Sequence, residues 1–198
     1  MENSNQLNPS FQLILDTAEQ LIKEKGCRQT TLQDIISRSG LSKGAIYHYV
    51  SGKDELFGLV LKAKMETMNM RFDGVVSETA PKDAVLPIQF IAEGMALQAD
   101  NQSVTSKIFT YLLSQIDNPK IEMILQELYE FTLLTATRWI ETGQKAGAIP
   151  ESVDAAKMAS MFMVFTYGLR VQNIISKKSD QKVEIEDIFG LLFRSLQK

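Results

Sequence analysis

Thr30-Thr31-Leu32-Gln33-Asp34-Ile35-Ile36-Ser37-Arg38-Ser39-Gly40-Leu41-Ser42-Lys43-Gly44-Ala45-Ile46-Tyr47-His48-Tyr49-Val50-Ser51-Gly52-Lys53-Asp54-Glu55-Leu56 is the stretch that sets the fold. Thr31 followed three residues on by Asp34 is a capping-box-like start, and Leu32, Ile35 and Ile36 then make one short apolar face that stops at Ser39-Gly40. Ser42 caps a second short helix, Lys43 to Val50, and Ser51 with Asp54 caps a longer one through Leu56, Phe57, Val60 and Leu61. A short support helix, a tight turn at Gly40 and a second capped helix have the spacing of a helix-turn-helix. Ile46 and Val50 lie one turn apart and point inward against Ile35 and Leu41, which puts Lys43, Gly44, Tyr47 and His48 on the opposite face. A cation, a glycine and aromatic rings suit groove edges and phosphates, with Gly44 allowing close approach of the backbone. Lys53, at the start of the next helix, adds its charge to a positive helix N-terminus, a ready phosphate contact.

Upstream, Asn8-Pro9 opens a helix whose apolar positions Phe11, Ile14, Leu15, Ala18, Leu21 and Ile22 keep three-and-four spacing up to Lys25-Gly26. Downstream the pattern changes to longer helices, near 54–72, 82–99, 103–115, 119–146, 153–176 and 184–196, with no strand-like alternation. Ala80-Pro81, Asn101, Asn118-Pro119, Gly147 to Pro150 and Lys177 to Lys182 separate them.

The composition narrows the functions open to such a chain. Its 198 residues, 44% apolar and 23% charged with 5 Pro, are globular. A single cysteine, Cys27, and a single histidine, His48, exclude an intramolecular disulfide, a multi-histidine metal site and a Ser/His or Cys/His pair elsewhere in the fold. Cys27 reads as a buried structural thiol, because only Arg28 beside it would lower its pKa. No apolar run approaches a membrane span and the start lacks a secretory signal, so a cytoplasmic protein is expected. No enzyme, no metal and no cofactor is expected. The net charge is −3, yet residues 23–64 carry eight Lys/Arg against four Asp/Glu and residues 65–198 carry thirteen against seventeen. A basic head precedes an acidic body, and a phosphate backbone responds to the local field.

The quoted stretch, from Thr30 through Gly40 and Val50 to Leu56, resembles the DNA-binding head of the tetracycline-repressor (TetR) family over about residues 10–60; the rest of the chain matches in helix number and length. The resemblance implies contacts to double-stranded operator DNA at Thr31, Gln33, Ser42, Lys43, Gly44, Ala45, Tyr47, His48, Tyr49 and Lys53. Cys27 stands where an aromatic residue is frequent in that family and Val50 where Phe is frequent; both replacements are apolar. Plainer readings stand beside these: Tyr47 or Tyr49 as packing residues between head and body, Lys43 and Lys53 as ordinary solvated lysines.

The segment Met158-Ala159-Ser160-Met161-Phe162-Met163-Val164-Phe165-Thr166-Tyr167 is apolar around the whole helix, so one face can fill the protomer's core while another needs a cover. The last helix adds a second apolar stripe, and two such helices from each of two chains make a four-helix bundle. The resemblance also implies a homodimer built there, with Phe165, Leu169, Ile185, Ile188, Phe189 and Leu192 as interface candidates. Between head and bundle lie Met65, Met68, Phe72, Met95, Phe109, Phe131, Trp139, Phe162 and Phe165. Methionine and aromatic stripes of this kind are ordinary core or the walls of an adaptable apolar pocket. The resemblance favours a pocket for a small-molecule effector, with Thr132, Thr135 and Arg138 as its polar groups.

The expectation is therefore an all-α protein with an N-terminal three-helix helix-turn-helix head at 1–52 and a helical ligand-binding and dimerisation body at 53–198. It would act as a transcription regulator, a repressor released from a palindromic operator by a small, largely apolar ligand. The competing expectation is a helical small-molecule carrier or interaction module without DNA binding. The basic head with its exposed Lys43, Tyr47 and His48 speaks against that alternative.

Overall fold

The computed structural model describes residues 8–78, 90, 91, 93, 94, 96, 97, 99–147, 149–176 and 182–196, with backbone alone at 189 and 192–196. The expected dimer residues Phe189 and Leu192, the expected pocket residue Met95 and the separator Ala80-Pro81 therefore lie outside the described side chains. Every regular element among the described residues is helical: α1 (Pro9–Gln29), α2 (Leu32–Ser39), α3 (Lys43–Tyr49), α4 (Lys53–Glu78), α5 (Val104–Leu113), α6 (Pro119–Lys145), α7 (Ala155–Ile175) and α8 (Ile185–Leu196). Described residues of 90–99 are helical as well.

Local chemistry accounts for the boundaries in the first sixty residues. The Asn8 side chain accepts from the Ser10 N–H at 2.9 Å, and Pro9 takes the first helical position, where a missing N–H costs nothing. Thr31 and Asp34 form the reciprocal capping box: Thr31 Oγ1 accepts from the Asp34 N–H at 3.2 Å, and Asp34 Oδ2 accepts from the Thr31 N–H at 2.8 Å. Gly40 closes α2 at φ 69, a left-handed conformation in which a side chain would be strained. Ser42 Oγ accepts from the Ala45 N–H at 3.1 Å and starts α3.

Three details differ from the sequence expectation. Gly26 breaks the helical path at φ 77, but one further turn follows, because both the N–H and the hydroxyl of Thr30 donate to the Gly26 carbonyl. Ser51 does not pair with Asp54; its N–H and its hydroxyl both donate to Glu55, each at 2.7 Å, while Asp54 accepts from the Tyr111 hydroxyl at 2.9 Å. Helix α4 runs on to Glu78 rather than ending near 72, continuing through Gly74, a residue that weakens a helix by about 1 kcal/mol without having to end it.

The chain divides by packing into two compact units. The first holds the described residues up to Lys64 together with Lys107–Leu128, and the second holds Met65–Ser106 with the residues from Tyr129 onward. This is a division of packing and says nothing of the boundary expected between residues 52 and 53. The first unit is built on Ile14, Ala18, Leu21 and Ile22 of α1, Ile35 of α2, Ile46 of α3, Val50, and Leu56, Phe57 and Val60 of α4, joined by Ile108, Leu112 and Ile121. At Gly58 a Cβ would come within 2.7 Å of the Ile124 side chain, so glycine sets how closely α4 and α6 approach there. Cys27 is buried in this unit, and burial pushes its thiol up to about 11 although Lys53 and Lys107 act against it. The expected structural thiol is what the fold contains.

In the second unit Phe72 stacks on Trp139 at 4.6 Å, with Phe90 tilted against Phe72 and edge-on to Trp139, and Ala99, Leu169 and Ile188 form a further buried cluster against which Met158, Phe162, Phe165 and Ile185 pack. A pair of asparagines fastens two segments of this unit: Asn173 donates to the Ala99 carbonyl at 3.1 Å, and Asn101 donates to the Asn173 carbonyl at 3.0 Å.

Asp34 supplies a pH test of the head. The Lys25 ammonium at 2.8 Å, and then the hydroxyl and N–H of Thr31, hold its carboxyl down at about 2. A carboxyl is near 3.9 in the unfolded chain, so this contribution is complete above about pH 4 and disappears as the pH falls through the folded value. Thermal melts are expected to show Asp34→Asn less stable than the natural protein at neutral pH, with the two curves converging toward pH 2. A constant offset across that window would contradict the assignment.

Candidate functional site

Helix α3 has seven residues, too few to stand alone, and it is held by what it buries. Ile46 has no exposed surface, Val50 retains 2%, and both pack in the core that contains Ile35. The remaining face is open. Lys43, Gly44, Tyr47 and His48 are all exposed, Tyr47 at 47%, and the Lys43 ammonium lies 5.5 Å from the centre of the Tyr47 ring. Ala45 is half-buried at the edge of that face.

Gly44 is informative because the protein's own packing does not require it. A Cβ built there would meet nothing closer than the Ser42 hydroxyl at 3.9 Å, and its backbone is ordinary helix. A glycine inside a helix costs roughly 1 kcal/mol relative to alanine. No packing contact of the described residues accounts for that cost.

The other sequence candidates separate by environment. Thr31 and Ser42 are exposed and serve as caps, with Thr31 Oγ1 also donating to Asp34 at 2.6 Å. Gln33 is exposed one turn before Ser37. Tyr49 is half-buried, its ring 5.0 Å from Phe11 and 5.0 Å from His48, so of the two tyrosines it is the one that packs, within the first unit and against α1.

Lys53 is turned inward. Its ammonium donates to the carbonyls of Cys27, Arg28 and Thr30 at 3.2–3.3 Å and lies 5.2 Å from the centre of the Tyr111 ring. A cation on the last carbonyls of a helix satisfies acceptors that have no intrahelical partner and complements the helix dipole. In this structure Lys53 fastens the end of α1 to the start of α4, a role the sequence reading did not assign to it. Arg28, exposed between Cys27 and the Thr31 cap, is a cation that reading mentioned only as a neighbour of the cysteine. Its position three residues ahead of the capping threonine was the available signal.

The expected pocket residues are divided between the two packing units. Phe109 belongs to the first unit, whereas Met65, Met68, Phe72, Phe131, Thr135, Arg138, Trp139, Phe162 and Phe165 belong to the second. There, Asn69 Oδ1 accepts from Arg138 at 2.6 Å and from the Trp139 indole at 2.8 Å, and Arg138 also reaches Asp73 at 3.0 Å. Thr135 is buried and donates to the Phe131 carbonyl at 2.9 Å. Arg138 is therefore engaged, and at an exposed position. Asn69 is the group on which these contacts converge; a single polar residue in a long helix carries no spacing signal by which the sequence would reveal it.

Of the expected dimer residues, Leu169 and Ile188 are 6% and 4% exposed inside the protomer's own cluster, and Phe165 and Ile185 pack on it. The open apolar stripe of α7 is a different one: Met161, Val164, Val171 and Ile175, exposed by 39%, 66%, 50% and 75%, with Gly168 at its centre.

Comparison with known proteins agrees with this layout. The family model described as "Bacterial regulatory proteins, tetR family" matches residues 14–60. The chain is 23% identical over 163 residues to an uncharacterized HTH-type transcriptional regulator, YfiR, of Bacillus subtilis, covering 82% of this chain and 78% of that protein. It is 25% identical over 149 residues to the fatty acid metabolism regulator protein of the same organism, covering 75% of each. A TetR-family regulator structure from Syntrophomonas wolfei superposes with a TM-score of 0.62 at 22% identity, over 94% of this chain and 92% of that one. No described helix is long and apolar enough to cross a membrane.

The two lysines are expected to behave differently on substitution. Lys53→Ala should lower the melting temperature, because three carbonyls lose their donor at about 1 kcal/mol or more in total. Lys43→Ala should leave it within about 0.5 kcal/mol of the natural protein, as for other exposed sites. Equal thermal stability of both variants would contradict the inward placement of Lys53.

Proposed function

Since the chain belongs to the TetR family of bacterial transcriptional regulators, we propose that it is a cytoplasmic homodimer that represses transcription from a palindromic operator and leaves that operator when a small, largely apolar molecule enters the second unit. The observation that carries the reading is the two-sided character of α3: a buried Ile46 beneath, and Lys43, Gly44, Tyr47 and His48 open above. Tyr47 and His48 are placed to meet base edges, Lys43 and Arg28 to meet phosphates, and Thr31, Gln33, Ser42 and Ala45 to flank them. Tyr49 and Lys53 hold the reading surface in place from behind.

Two reading helices on one palindrome require a two-fold partner. The stripe Met161, Val164, Gly168, Val171, Ile175 supports the dimer: its three-and-four spacing is that of a helix–helix seam, and the described residues leave it exposed. The aromatic group of Phe72, Phe90 and Trp139 supports an apolar effector site, and Phe72 shares helix α4 with Lys53. Effector and operator then favour different conformations of α4, and each weakens the other's binding by the same factor.

Gly44→Ala tests the reading surface in a way that separates stability from function. At an exposed helical position the substitution should stabilise the protein by about 0.5–1 kcal/mol. The added methyl should nevertheless weaken operator binding in a mobility-shift or anisotropy titration. A more stable protein with unchanged affinity would remove α3 from the interface. Val164→Glu tests the seam: two carboxylates forced into an apolar contact cost several kcal/mol, so light scattering should report monomers. A dimer that survives this substitution places the contact elsewhere.

A further inference from the structure

Three residues in the first two turns of α4 touch one ring that comes from far along the chain. The Tyr111 hydroxyl donates to Asp54 Oδ1 at 2.9 Å, the Lys53 ammonium lies 5.2 Å from the centre of the Tyr111 ring, and Phe57 meets that ring edge-on at 5.7 Å. Tyr111 stands in the last turn of α5, where its carbonyl accepts from the Ser114 hydroxyl at 2.7 Å. Ile108 and Leu112 on the same helix have no exposed surface, and neither has Phe57, so packing alone already places the ring. All of these residues belong to the first packing unit, although Tyr111 lies well beyond the stretch 14–60 that the family model matches.

The turn of α4 that Tyr111 holds is attached to both ends of the helix-turn-helix. Through Lys53 it meets the carbonyls of Cys27, Arg28 and Thr30, the residues that lead into the Thr31 cap of α2. On the other side Val50 caps α3, and only Ser51 and Gly52 separate it from Lys53. Those two are tied down as well: Ser51 donates twice to Glu55, and the Gly52 carbonyl accepts from the Leu56 N–H at 3.2 Å. A shift of this turn is therefore passed to the entry of α2 and the exit of α3 together. Hydrogen bonds to base edges weaken steeply with distance and angle, whereas the pull of a lysine on phosphates falls off slowly. The setting of α3 thus bears on sequence discrimination far more than on general affinity for DNA.

We propose that Tyr111 is a positioning residue for DNA reading: its bond to Asp54 holds the first turn of α4, and through that turn the setting of α3, so that sequence discrimination depends on a hydroxyl outside the helix-turn-helix. This rests on the reading of α3 as the helix that contacts DNA. The ring contacts with Lys53 and Phe57 would survive with phenylalanine at this position. What tyrosine adds is the bond to Asp54, a residue that also complements the positive end of α4.

The test uses the full chain and two DNA probes, a duplex that the natural protein enriches from a random pool and a scrambled duplex of the same composition. Tyr111→Phe should bind the enriched duplex about fivefold or more weakly and the scrambled duplex as well as the natural protein does. The salt slope on each probe should stay the same, because no phosphate contact is lost. The titrations are run far below the melting temperature, where a hydroxyl that served stability alone would leave both affinities untouched. Asp54→Ala should lose discrimination by the same factor, and Asp54→Asn, which keeps an acceptor oxygen, should recover most of it. Asp54→Ala combined with Tyr111→Phe should be no worse than either change alone. Full discrimination in Tyr111→Phe, equal weakening on both duplexes, or additive losses in the double variant would each overturn the proposal. A natural protein that enriches no duplex would defeat the regulator reading and this proposal with it; an enriched duplex that Tyr111→Phe binds undiminished would defeat this proposal alone.

Discussion

The burial of Ile46 and Val50 beneath α3 is the constraint on which the head depends. A seven-residue helix has no stability of its own, and each fully buried aliphatic side chain contributes about 1.5–3 kcal/mol that the isolated segment lacks. Because these two residues are fixed in the core, the rotation of α3 about its axis is fixed too, and Lys43, Gly44, Tyr47 and His48 can only face outward. Gly40 ends α2 and Ser42 starts α3 within a few residues, so the angle between the helices is set locally. Lys53 completes the support from the far side by drawing the last carbonyls of α1 onto the first turn of α4.

Much of this was legible in the sequence because it is local. A capping threonine, its partner three residues on and the glycine that ends α2 are neighbours in the chain, and their geometry depends on little else. The same holds for the inward positions of α3, which follow from helical periodicity once the caps are known. Lys53 was not legible in this way. Its partners are more than twenty residues upstream, and a lysine in the first turn of a helix reads equally well as a free cation or as a cap for another helix. Ser51 choosing Glu55 over Asp54 is a smaller case: the hydroxyl of Tyr111, brought in from α5, claims Asp54.

Helix α7 shows where periodicity ceases to inform. Its apolar residues surround the axis, and the sequence says only that more than one face is covered. The structure distributes them: Ala159, Met163 and Thr166 run inward toward Arg170, Phe162, Phe165 and Leu169 pack on the cluster with Ala99 and Ile188, and Met161, Val164, Val171 and Ile175 remain open around Gly168. Leu169 and Ile188, which pattern alone offers to a partner subunit, are thereby committed to the protomer. A helix with three faces of this kind suits a protein that must hold a ligand and a second copy of itself with the same element. Phe109 is divided from the other expected pocket residues because Lys107–Leu128 packs with the first unit, an assignment its apolar spacing alone does not reveal.

The central claim is that α3 reads sequence in DNA as one half of a two-fold pair, and selection of bound DNA from a random pool by the purified full chain tests it most directly. The account predicts enrichment of a palindrome whose half-sites are centred about one helical turn, 34–36 Å, or a whole multiple of it apart. A selected pool with no common sequence, or with isolated half-sites lacking a two-fold mate, would contradict it.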